Sequence, residues 1–93
     1  MMEFEMTEED TSFRFEDESE LEWLATGLED CAKDAFLNSD MAILTHCVQE
    51  LRENQMPCEG GISSYLSTQD TTMMFGAMMS LLIGYHKIYG KDS

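Results

Sequence analysis

The chain has 93 residues, with 19 acidic side chains against 5 Lys and Arg and a formal net charge of −14. Apolar residues make up 43% of it, too much for a wholly disordered polymer. A surface of this sign repels phosphate, which excludes direct nucleic-acid binding and disfavours adsorption to an anionic membrane.

The length predicts one small acidic domain over 1–93. Its fold class is expected to be α+β, an N-terminal β-hairpin followed by three helices, the last long and largely buried. An all-α bundle with an irregular N-terminal arm is the alternative. Residues 1–18 form the hairpin or arm. Met2, Phe4 and Met6 alternate with Glu3 and Glu5, and Thr11, Phe13 and Phe15 alternate with Ser12 and Arg14. Period two with aromatics predicts two short strands, joined through residues 7–10.

An antiparallel helix pair is expected over 19–54. Ser19 and Glu22 have capping-box spacing at the first helix. Leu21, Leu24, Leu28, Cys31, Ala32, Ala35 and Phe36 make its apolar stripe. Ser39 is the expected cap of a second helix running to Arg52, with Met41, Leu44, Cys47, Val48 and Leu51 on one face. Asn54 and Pro57 mark its end. Pro57, Gly60 and Gly61 predict a loop over 55–67.

Residues 68–90 are expected to form a core helix. Ser67 and Asp70 have capping-box spacing at its start, and Gly90 suits the position after its end. The segment from Thr71 to Tyr85 is uncharged and apolar nearly all round, yet 15 residues is short of the roughly 20 a bilayer span needs. Such a helix must be covered on all sides, and a second copy of the chain is one source of cover. Gly76, Ser80 and Gly84 recur every four residues, a face suited either to tight packing within the chain or to a homodimer seam. Met73, Met74, Met78 and Met79 either fill the core or line a groove for a partner segment.

Chemistry-bearing motifs are scarce. No phosphate-binding glycine loop, zinc-finger spacing or nucleophile elbow occurs. His46, Cys47, Cys58, Cys31 and His86 are the residues from which a metal or thiol site could be drawn, at spacings that match no standard site. The expectation is therefore a non-enzyme with no cofactor and no metal. An odd number of cysteines without framework spacing, and ends without signal-peptide or lipidation patterns, predict reduced thiols and a cytoplasmic location.

Negative charge is the strongest functional signal, because 14 of the 19 acids lie in residues 1–46. Glu16, Asp17, Glu18, Glu20, Glu22, Asp30 and Asp34 are the expected contacts to a basic protein, with Trp23 as an anchor. Trp23 falls on the polar side of the first helix, and the favoured expectation is that the hairpin covers it. Carboxylates spaced along a helix imitate part of the field of a nucleic acid, so the sequence predicts an inhibitor of a nucleic-acid-binding protein. Phage-encoded antagonists of host nucleases or CRISPR effectors work in this way, an analogy from size and charge alone. An acidic adaptor or chaperone-like homodimer, holding a partner segment on the methionine-rich helix, is the second expectation. A small metal-binding protein is the third.

Overall fold

A computed structural model describes residues 2–89, with side chains of residues 2–87. Along the chain run β1 (Glu3–Met6), β2 (Asp10–Phe15), α1 (Glu18–Lys33), α2 (Asn38–Glu53), β3 (Met56–Cys58), β4 (Gly61–Ser67) and α3 (Thr68–Tyr89). The fold class is α+β. One antiparallel sheet has the order β1-β2-β4-β3, so strands from the two ends of the helix pair meet at its centre.

Alternation decides which face of the sheet carries the helices. In β2, Thr11, Phe13 and Phe15 are buried while Ser12 and Arg14 are exposed. In β4, Ser64 and Leu66 are buried and Tyr65 is exposed. The N-terminal hairpin forms as expected, with Thr7 N–H donating to Asp10 O at 2.9 Å. Its edge strand is not covered: Phe4 lies opposite Phe13, ring centroids 6.2 Å apart, and remains 57% exposed.

The expected loop over 55–67 is instead a second hairpin. Met56↔Ser63 and Cys58↔Gly61 are paired across a two-residue turn. Pro57 is compatible with it because β3 is an edge strand, where a missing N–H leaves no ladder bond unmade. Gly60, at φ 87°, supplies the left-handed residue of the turn. Ser64 gives its Oγ–H to Leu51 O at 2.7 Å, which ties the buried face of β4 to the end of α2.

Helix α1 starts two residues before the position read from a Ser19 cap. Asp17 is the cap, its Oδ1 accepting from Glu20 N–H at 3.0 Å and from Ser19 Oγ–H at 2.8 Å. Asp17 outcompetes Ser19 because a carboxylate accepts both bonds at once. Helix α2 likewise begins at Asn38, with Leu37 in the cap position and no side-chain cap bond, so Ser39 lies inside the first turn. Leu44, Cys47, Val48 and Leu51 are buried as their spacing predicts, against Leu21, Ala25, Leu28 and Ala32 of α1 and the inner face of the sheet.

Helix α3 starts where expected, with Asp70 N–H donating to Ser67 Oγ at 3.1 Å. Its first turn is bound to the N-terminal hairpin: Thr68 N–H donates to Glu9 O at 2.8 Å and Thr68 Oγ–H to Thr7 O at 2.7 Å. The expectation of a largely buried helix is corrected. Thr71, Met74 and Ala77 are buried, whereas Met73, Phe75, Met79, Leu82, Ile83 and Tyr85 are exposed. Helix α2 and the sheet pack along one side only, and a helix of 22 residues, about 33 Å long, extends along a molecule of 48 × 24 × 19 Å. The capping role read for Gly90 lies outside the described residues.

Candidate partner-binding surface on helix α1

The buried stripe of α1 runs through Leu21, Ala25, Leu28 and Ala32, which fixes what the opposite side presents. Trp23, Thr26, Asp30 and Asp34 are forced outward by a period of 3.6 residues. Trp23 is 72% exposed, so the expectation that the hairpin covers it is corrected. Phe13 and Phe15 point into the core beneath the helices, and Phe4 stacks toward Phe13, so no hairpin aromatic remains to cover the indole.

Trp23 forms a wall shared by two shallow depressions. The first, of about 630 Å³, is lined by Met2, Glu16, Asp17, Ser19 and Glu20. The second, of about 430 Å³, is lined by Glu22, Thr26, Gly27 and Asp30. Gly27 opens the floor of the second, since a Cβ there would meet nothing within 4 Å. Five of the predicted contacts, Glu16, Asp17, Glu20, Glu22 and Asp30, are thus gathered around Trp23. Glu18 and Asp34 line neither depression, and Asp34 sits at the far end of α1 as its C-cap. Met2 and Gly27 were missed by sequence reasoning. Only its spacing of four from Trp23, which sets Gly27 on the same outward side of α1, could have pointed to the second.

The carboxylates are not equivalent. Arg52 of α2 donates from Nε and Nη2 to Glu22 at 3.2 and 3.0 Å and from Nη1 to Glu29 at 2.9 Å. Arg52 holds the Glu29 carboxyl below its usual range, and the two carboxylates in turn raise the guanidinium above its own. Asp17 is lowered by the Ser19 hydroxyl and then by the Glu20 amide. Both lowered carboxyls favour the folded chain above the ordinary carboxylate range, and that contribution disappears as the pH falls through their folded values. Glu22 therefore lines the second depression with its charge already offset by Arg52.

The residues considered for metal or thiol chemistry are dispersed. His46 is on α2, Cys58 on β3 and His86 on α3. Among the described residues no three His, Cys, Asp or Glu side chains are placed to share a metal ion. His46 Nε2 lies 3.1 Å from Asp70 Oδ2, and the adjacent Cys47 Sγ–H donates to Asp70 O at 3.7 Å. This trio resembles a nucleophile, base and orienter only by residue type. Cys47 is fully buried, and burial first, then Asp70 and Glu50, pushes its thiol up to about 12. A thiol so raised is not a nucleophile at neutral pH. In native protein, iodoacetamide is expected to modify Cys31 and Cys58 and to spare Cys47 until denaturant is added, as read by peptide mass spectrometry.

The stripe of small residues divides. Gly84 packs beneath Phe36, whose Cε2 would be 2.6 Å from a Cβ at that position, whereas Gly76 has open space and Ser80 is exposed. The methionines divide too, with Met74 sealed in the core, Met78 half-buried and Met73 and Met79 exposed. Among the described residues no helix is long and apolar enough to cross a membrane. No family model matches this chain, and no curated protein or solved structure matches it significantly.

Proposed function

We propose that this chain is an acidic protein-interaction module that inhibits a nucleic-acid-binding protein by occupying its basic surface through α1. The observation that carries this reading is Trp23, 72% exposed between two depressions edged with carboxylates. A large aromatic among acids suits an arginine-bearing partner. The guanidinium stacks on the indole face while its N–H groups reach carboxylates on either side. The surrounding charge of −14 steers a cationic surface toward the site and accelerates encounter, an effect that salt weakens. No catalytic step is part of this function, and it needs no cofactor.

The test is affinity capture on the immobilised full chain from extract of its native cells, at low and at high salt, followed by titration of the captured protein. Binding is expected to weaken steeply with salt and to be competed by duplex DNA or RNA. Trp23→Ala should reduce affinity roughly 30-fold or more, the scale of an interface hot spot, while leaving the thermal midpoint unchanged because the indole is exposed. Binding that ignores both salt and nucleic acid, or that tolerates Trp23→Ala, rejects the proposal.

A further inference from the structure

The two edges of the sheet differ in what their backbones offer. Thr7 N–H donates to Asp10 O, and Thr68 N–H donates to Glu9 O, which fixes the phase of both central ladders. Hydrogen-bonded and non-hydrogen-bonded pairs alternate along an antiparallel ladder, so Glu3↔Arg14 and Glu5↔Ser12 are the bonded pairs between β1 and β2. Phe4 and Met6 then direct both N–H and C=O outward, past the end of the sheet. At the opposite edge the bonded pairs are Met56↔Ser63 and Cys58↔Gly61, which turns the backbone of Pro57 outward. Pro57 has no N–H to offer there, and this guards β3 against a further strand. The chain has no other proline, and β1 is left open.

We propose that β1 takes up an additional strand from another protein, an extended segment with Lys or Arg at alternate positions and apolar residues between them. Phe4 and Met6 supply the backbone groups for an antiparallel ladder, the part of strand addition that gives affinity. The side chains select the occupant. Phe4 and Met6, 57% and 46% exposed, lie on the side of the sheet that carries the helices, and the exposed Glu3 and Glu5 lie on the other. In the new ladder Glu3 and Glu5 take non-hydrogen-bonded positions, where facing side chains come closest. A basic residue opposite each makes a cross-strand ion pair, while apolar residues opposite Phe4 and Met6 cover them. Arg14 stands across from Glu3 on β2, so Glu5, across from the neutral Ser12, has the larger part in this choice. The same glutamates reject a second copy. Antiparallel pairing of β1 with itself sets Glu3 against Glu5 when centred on Phe4, and Glu5 against its own copy when centred on Glu5. An uncharged strand forfeits both ion pairs, and only a basic one is drawn in by a net charge of −14.

This site goes beyond the role proposed for α1 and does not rest on Trp23. The probe is a blocked octapeptide of alternating lysine and valine, titrated into the isotope-labelled full chain. Saturable binding is expected, with hydrogen exchange at the Phe4 and Met6 amides slowed roughly tenfold or more. In the added strand the valine amides face β1 and the lysine amides face solvent. N-methylation of the valine amides should therefore abolish binding, whereas N-methylation of the lysine amides should be tolerated. An isomer with its lysines and valines in separate blocks has the same charge without the alternation, and should bind roughly tenfold more weakly or worse. Glu5→Lys, at an exposed position, should also weaken binding about tenfold, while Trp23→Ala leaves it unchanged. Absence of binding at about 1 mM peptide overturns the proposal. So does equal affinity for the block isomer or indifference to valine N-methylation, since either would mean that charge alone holds the peptide. Loss of binding in Trp23→Ala with none in Glu5→Lys would place the peptide on α1 and overturn it as well.

Discussion

Phe15→Ala is expected to remove most of the folding free energy. The Phe15 ring is fully buried at the end of β2, where the sheet meets the helices, and belongs to the core cluster with Leu21, Leu28, Leu44 and Leu51. Truncating a buried phenylalanine costs about 3–5 kcal/mol, combining lost transfer energy with the cavity left behind. A domain of this length has about 5–14 kcal/mol in total, and mutual repulsion within a chain of −14 pulls it toward the lower end. At about 4–8 °C per kcal/mol, the midpoint should drop by roughly 12–40 °C. Phe4→Ala is the control. Phe4 occupies the same face one strand outward and is more than half exposed, so its loss should shift the midpoint by only a few degrees. Thermal melts followed by circular dichroism compare the two. An equal drop for both would mean that β1 is covered in solution.

These two phenylalanines show what period-two alternation conveys. It identifies the strands and the face each residue takes, because a strand's side chains must alternate. It does not say how far the helices reach across that face, so Phe4 and Phe15 look alike in sequence and differ in burial. Helix α3 repeats the lesson. Its limits and its Ser67 cap were legible, since capping is local chemistry, but its cover was not, since that depends on where α2 ends. The missed hairpin over Met56–Ser67 has another cause. Ser63, Ser64 and Ser67 are weak strand formers, and Pro57, Gly60 and Gly61 read as breakers. What makes β4 a strand is tertiary: β2 offers it a complete ladder from Asp10↔Ser67 to Phe15↔Ile62, and Leu51 O accepts the buried Ser64 hydroxyl. At the α1 surface the acids were legible by composition and their outward direction by helical period. The Arg52 bridge to Glu22 and Glu29 was not, because it requires the relative placement of two helices.

Gly61→Ala should destabilise the protein far more than Gly60→Ala, although the two glycines are adjacent in one turn. Both have positive φ, 87° at Gly60 and 156° at Gly61, a region that disfavours a side chain. At Gly60 that is the whole penalty, since a Cβ would meet nothing within 4 Å, and about 1 kcal/mol is expected. At Gly61 a Cβ would collide with the Phe15 carbonyl oxygen and lie 2.9 Å from the Glu16 carbonyl oxygen. Both obstacles are backbone, so no side-chain rotation relieves them. Phe15 cannot retreat, because it pairs with Ile62 in the central ladder and its ring anchors the core. The start of β4 must therefore peel away from the end of β2, exposing Phe15 and loosening the link to α1. Backbone strain with local loss of packing corresponds to about 3 kcal/mol or more. Urea unfolding of the two variants, with hydrogen exchange at Ile62 as a local probe, measures the difference. Faster exchange at Ile62 in Gly61→Ala alone, with an unfolding midpoint well below that of Gly60→Ala, is the expected pattern, and equal midpoints would refute the close approach of β4 to Phe15.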